Sequence, residues 1–358
     1  MADGVRAVPR DSRPRSLSQW SVPRWSWRTT NLALLVALAL AFATGLGAVA
    51  TGSPRGAGVV VAHGVGGIAV VLLVPWKRRV VAGGLRRRRP NRGMSVALAV
   101  ITLGSLMFGF ASSTGLLRSV AGRETLWLHI ALALLLVPLL AWHLAARPVR
   151  PRRADASRRV LLRAGLLAAA GGVLYAAGEA GVRLGGLSGA QRRFTGSYAA
   201  DPDRMPVVSW LDDAVPAVDE AGWRLAVTDA EGSRALSAAG LAALGTSTVR
   251  ATLDCTSGWY ATQDWTGTPL SQLIRGVGPE HRSIRVRSLT GFDRYLPLAD
   301  LDTLLLATAC GGAPLTAGHG FPARLVAPGR RGFWWVKWVV GVELSRRPWW
   351  AQSPFPYT

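Results

Sequence analysis

Two cysteines and five histidines in 358 residues are few enough that each can be asked what chemistry it would support. Cys255 follows an alternating run, Thr248, Val249, Arg250, Ala251, Thr252 and Leu253, which predicts a β-strand ending in a loop with Ser257 and Gly258. A thiol at the end of a strand sits on a rigid support, and its thiolate is a soft ligand that can meet a cofactor. The plainer alternative, a free cysteine filling core, suits Cys310, which follows the apolar stretch 304–309. The two cysteines are far apart and form no Cys-x-x-Cys pair, so neither a zinc nor an iron–sulfur framework is available.

His63, His129 and His143 fall inside long apolar runs, where an ionisable group is costly and points to function. At roughly 100° per residue, His129 and His143 share nearly one helix face, about 21 Å apart along the axis. That is the spacing of haem ligands on a single helix in b-type cytochromes. His63 and His129 each lie a few residues in from the outer end of their runs. They predict an axial pair on one haem b iron, clamped between antiparallel helices, with His143 left over. The alternative for each is a buried imidazole bonded to a backbone carbonyl.

The elements that must carry these histidines read as membrane spans. Apolar runs at 31–50, 58–75, 96–117, 126–145 and 160–180 each approach the ~20 residues that a spanning helix needs. The hydrophobic fraction of 49% is high for a water-soluble chain. The formal net charge of +22 sits in blocks of arginine between the runs, as the positive-inside bias places them, and no nucleic-acid reading motif accompanies it. Lys77, Arg78 and Arg79 with the arginines at 86–89 separate the second and third runs, and a further arginine-rich loop, 147–159, separates the fourth and fifth. This distribution puts the N-terminus and both loops in the cytoplasm, and five spans then deliver everything after residue 180 to the outside. Residues 1–30 mix arginine with Pro, Ser and Trp without apolar periodicity and predict a disordered basic tail. Ser157-Arg158-Arg159-Val160-Leu161-Leu162-Arg163 resembles the twin-arginine export signature, which would make the twin-arginine translocase a partner; an ordinary positive-inside cluster is the alternative. A transporter reading lacks the paired broken helices or internal repeat of such folds.

From Arg192 onward the spans give way to short alternating segments such as 223–227 and 283–289, with short helical patterns at 237–244 and 270–274. The expected fold class is therefore membrane α-helical, with five spans, plus α+β. The expected division is a tail at 1–30, an anchor carrying haem b at 31–184, and an extracytoplasmic domain at 185–358.

In that domain Cys255, Thr256, Ser257, Gly258 and Trp259 are followed by Trp265, Gly267, Pro269 and Leu270. Then come His319, Gly320, Pro322, Arg324, Pro328, Gly332, Val336, Lys337 and Trp338. In this order and spacing, over residues 200–345, these residues resemble the sulfite oxidase family of molybdopterin enzymes, and the first group is closer to its bacterial methionine-sulfoxide reductase branch. The resemblance implies a molybdenum-molybdopterin cofactor with Cys255 as thiolate ligand. It also implies cofactor contacts from His319, Arg324 and Lys337, and close backbone approach at Gly320 and Gly332. Molybdenum accepts soft sulfur, and a pterin phosphate suits a guanidinium fork and an ammonium. Sulfite oxidases place an arginine five residues after the ligand cysteine, where this chain has Tyr260. The substitution argues against sulfite and nitrate unless Arg250, Arg282 or Arg294 approaches from elsewhere.

The expected function is oxygen-atom transfer to or from a small molecule, with reduction of an S-oxide or N-oxide favoured. Electrons would come from the membrane quinone pool through haem b. A sulfite-type oxidase passing electrons to the membrane, and a non-catalytic molybdopterin-fold domain on an inert anchor, are the alternatives.

Overall fold

A computed structural model describes residues 25–85, 92–149, 152–208 and 214–353. The bulk of the basic tail and the arginines at 86–89 lie outside the described residues.

Among the described residues, five helices are long and apolar enough to cross a membrane: α1 (Trp27–Ala50), α2 (Ala57–Leu85), α3 (Arg92–Thr114), α4 (Thr125–Ala146) and α5 (Arg158–Leu184). Their Leu-, Ala- and Val-rich sequences favour helix, and Ser26 caps α1 by accepting the Thr29 N–H at 3.0 Å. At most 17% of any apolar window is buried. Leu40, Val100, Met107, Phe110, Leu162, Leu166 and Val173 all face outward. By length and composition all five are candidates to cross a membrane. A two-stranded hairpin, β1 (Ser119–Val120) and β2 (Arg123–Glu124), joins α3 to α4. At the opposite end of the bundle Arg28 donates to Asp155, 2.8 Å at the closer pair, tying the start of α1 to the segment before α5.

The rest of the chain builds two sheets. The first contains β3 (Tyr198–Ala199), β6 (Ser247–Asp254), β7 (Trp259–Pro269), β10 (Leu305–Cys310), β11 (Ala313–Pro314) and β12 (Arg324–Val326). The second runs β5-β4-β13-β8-β9, with β4 (Leu225–Asp229), β5 (Gly232–Leu236), β8 (Ser283–Ser288), β9 (Asp293–Pro297) and β13 (Val339–Ser345). Two short helices, α6 (Ala238–Ala242) and α7 (Leu270–Leu273), complete it. The strand pairings are antiparallel apart from β3 with β7 and β13 with β4. Period-two burial on β4 sends Leu225 and Val227 into one core with Trp265, Ile284, Leu296, Leu306, Val336 and Val342.

The sheet domain is docked on the bundle through defined contacts. Trp334 Nε1 donates to Ala50 O at 2.9 Å, Arg331 Nη1 to Ala48 O at 3.3 Å, and Thr51 bridges Arg330. These bonds satisfy carbonyls that the C-terminal turn of α1 leaves open. Tyr198 donates its hydroxyl to Ser112 O on α3 at 2.6 Å, and Gly258 lies against Leu126 at the start of α4. One expectation is corrected here. The domain meets the junction between α1 and α2 as well as the start of α4, so α2 and α4 both begin at the domain end and run in the same direction. The one intervening helix, α3, runs back between them, and the two reversals make α2 and α4 parallel.

Candidate functional site

Cys255 stands where the alternating pattern predicts, at the end of β6, in the turn that returns as β7. Cys255 N–H donates to Trp259 O at 2.8 Å and Gly258 N–H to Cys255 O at 3.2 Å, with Gly258 at φ +113. The left-handed backbone there is one that glycine adopts without strain. The sulfur is half-buried and lies 3.1 Å from Ser257 Oγ. Gly332 covers the other side of the turn: a Cβ on it would come 3.2 Å from Cys255 Cα.

Three polar residues of the second motif gather near that turn. Arg324, on β12, is 2% exposed, with its guanidinium against the mutually packed rings of Trp265 and Trp335, 5.0 and 5.6 Å from their centroids. Its Nη1 donates to His319 O at 3.2 Å, and its buried Nε has no hydrogen-bond partner. Burial pushes its pKa down to about 10. Lys337 Nζ donates to Val208 O and Gly318 O at 2.8 and 2.9 Å, and burial with the nearby Arg324 charge lowers it to about 8. His319 meets Thr316 Oγ1 at 2.7 Å and Met205 O at 3.1 Å, and burial lowers its pKa. Gly320, at φ +107, lies between Arg324 and Lys337, where an added Cβ would come 3.0 and 3.1 Å from theirs.

Among the described residues neither Arg324 nor Lys337 has a carboxylate partner. Buried cations without counter-charge are costly, and an anionic ligand relieves that cost. The orphaned Arg324 Nε and the uncompensated charges of Arg324 and Lys337 fit a phosphate-bearing cofactor beside Cys255.

The cation missing from position 260 is not supplied by the three arginines considered from sequence. Arg250 pairs with Asp264 on an exposed face, the backbone N–H of Arg282 bonds Ser345 O, and Arg294 stacks on Phe292 and Phe333. Arg193 is there instead, 5.2 Å from the Tyr260 ring centroid and 3.1 Å from Asp254 Oδ2. Asp254, 1% exposed, also accepts from Thr195 and Ser197 at 2.7 Å each and faces Arg331 at 3.4 Å. Sequence reasoning passed over Asp254, Arg193 and Arg331. Asp254 was visible as an acid beside Cys255, whereas the two arginines are indistinguishable in sequence from the many around them.

In the bundle, the rings of His63 and His129 come together with centroids 5.7 Å apart and planes at 72°. Each Nδ1 meets a carbonyl of a neighbouring helix, Ala41 O at 2.9 Å for His63 and Ser105 O at 2.7 Å for His129. Gly45 and Gly109 face the two rings closely, with added Cβ atoms at 3.2 and 3.0 Å. His143 lies toward the other end of α4, and its buried Nδ1 has no partner among the described residues.

Residues 212–353 match the model of the oxidoreductase molybdopterin binding domain. The uncharacterized oxidoreductase YuiH of Bacillus subtilis is 34% identical over 26% of this chain and 50% of its own length. The protein-methionine-sulfoxide reductase catalytic subunit MsrP of Xanthomonas campestris is 30% identical over 26% of this chain and 35% of its own. The chain thus spans half or less of these curated relatives. The sulfane dehydrogenase SoxCD of Paracoccus pantotrophus aligns with TM-score 0.35 and 25% identity over 37% of this chain and 40% of that one. Residues 212–353 of this chain thus form a molybdopterin-binding oxidoreductase domain of the sulfite oxidase type.

Proposed function

We propose that this chain is a membrane-anchored molybdopterin oxidoreductase that reduces a small S-oxide or N-oxide with electrons drawn from the quinone pool through haem b. The observation that carries the reading is the convergence of the Cys255 turn with two buried cations, Arg324 and Lys337, that lack any acidic partner among the described residues. The bound group would supply oxygen-atom transfer coupled to two electrons. Cys255 would ligate the metal, Arg324 and Lys337 would hold phosphate oxygens, and His319, its ring nitrogens engaged by Thr316 and Met205, would pack beside them. Gly320 and Gly332 would let the backbone approach. Tyr260 would line the reacting end in place of an arginine, and the nearby Arg193 is already paired with Asp254, which favours a neutral oxide. Oxygen leaves the substrate as water with two electrons and two protons, the amounts that one quinol releases.

For the anchor, the His63 and His129 geometry supports an axial haem pair. Ligating imidazoles commonly bond a carbonyl through the second nitrogen, as both do here, which leaves Nε2 for iron. The five apolar helices support a cell-membrane location, with the arginine-rich ends inside and the domain outside. The Arg158 and Arg159 pair at the start of α5 is assigned to twin-arginine export of a cofactor-loaded domain. The test is a screen of S-oxides, N-oxides and sulfite on the purified chain. We expect turnover with a reduced dye donor and an oxide; turnover only as sulfite oxidation contradicts the reading.

A further inference from the structure

Arg331 is a deeply buried cation next to Cys255, and nothing in the motif logic requires it. It is 2% exposed, so its guanidinium is fully desolvated and its pKa is pushed down by burial. Its polar contacts lead in two directions. Nη1 reaches Ala48 O at the C-terminal turn of α1 at 3.3 Å. Nη2 reaches Cys255 O at 3.0 Å, Ser197 Oγ at 3.2 Å and Asp254 Oδ1 at 3.4 Å, while Nε has no hydrogen-bond partner. One side chain thus joins the end of a bundle helix to the carbonyl of the cysteine. The same α1 holds His63 through Ala41 O, one and a half to two turns below Ala48.

The charges around the turn do not cancel. Asp254 is a single carboxylate between two guanidinium groups, Arg331 and Arg193, and Arg193 also donates to Gly52 O at 3.2 Å just past α1. Asp254 therefore neutralises one guanidinium, and the second positive charge is left to face the Cys255 thiolate and its metal, where the buried Arg331 is weakly screened. Helix capping alone would not need it, since Trp334 bonds Ala50 O without charge. A fixed cation near a metal favours its reduced, more electron-rich state, and outer groups of this kind tune metal sites.

We propose that Arg331 is a positioning residue that locks the Cys255 turn onto the end of α1, and that its charge raises the reduction potential of the metal held by Cys255. The proposal rests on the assignment of Cys255 as ligand. The test is a dye-mediated redox titration of the molybdenum EPR signal in the purified, full-length holoenzyme. Arg331→Gln lowers the midpoint potential and alters the signal shape, Arg331→Lys restores most of the wild-type value, and Trp334→Phe, which removes a neutral cap, leaves the potential at the wild-type value. A wild-type potential in Arg331→Gln overturns the proposal, as does an equal shift in Trp334→Phe. Should Arg331→Gln fail to retain metal, the more accessible Arg193→Gln is read instead: a lowered potential supports the charge effect and an unchanged one overturns it. Absence of molybdenum from the wild-type chain sinks the ligand assignment itself, an outcome distinct from an unshifted potential in a loaded variant.

Discussion

Lys337 and Asp254 show how single charges define this site. Lys337 titrates at about 8, below the ~10.4 of a free lysine, because burial and the Arg324 charge disfavour its ammonium. Between those two values the unfolded chain binds the extra proton, so the cofactor-free domain gains stability as pH rises through this window. Holding an anion needs the protonated form. Affinity for the phosphate-bearing cofactor is therefore expected to fall above pH 8 in reconstitution assays, and Lys337→Arg should move that fall to higher pH. Asp254 balances a buried guanidinium, and removing one member of a buried pair costs about 3–5 kcal/mol. Denaturant titration of Asp254→Ala should show a loss of that order.

At the scale of elements, the site depends on places where backbones nearly touch. Gly320 at φ +107 is expected to lose about 1–3 kcal/mol as Gly320→Ala, from backbone strain and from the crowding of Arg324 and Lys337. In the bundle, a side chain at Gly109 would push against the His129 ring. Gly109→Val should diminish the b-type band in a reduced-minus-oxidised spectrum, as His63→Ala and His129→Ala should abolish it. Much of this was legible in sequence. Thr248 to Leu253 alternate as β6 does, and the ordered His319, Arg324 and Lys337 spacing marked three residues that the fold gathers into one cluster. The pairing of His63 with His129 was legible from depth along each run, although the relative direction of their helices was not worked out correctly from the count of crossings. Arg193 and Arg331 were not legible, because their roles arise from contacts between distant segments: Arg331 meets Ala48 only once α1 and the sheet domain are docked.

At the scale of the whole molecule, charge and apolar surface give an orientation. In the proposed reading the outward-facing Leu, Val and Phe on the five helices meet lipid, and the described Lys77, Arg78, Arg79, Arg158 and Arg159 lie at the bundle end opposite the sheet domain. Protease added outside intact spheroplasts is expected to remove epitopes after residue 200 and spare one at the N-terminus; the reverse pattern would contradict the topology. The docking contacts of Arg331, Trp334 and Tyr198 hold the Cys255 turn over the end of the bundle at which α2 and α4, the helices of His63 and His129, begin.

The central claim is that Cys255 is a metal ligand, and X-ray absorption at the molybdenum edge tests it most directly. The account predicts a molybdenum–sulfur shell in the purified protein that loses one sulfur scatterer in Cys255→Ser. A loaded Cys255→Ser variant with an unchanged sulfur shell, or a wild-type protein without molybdenum, would contradict it.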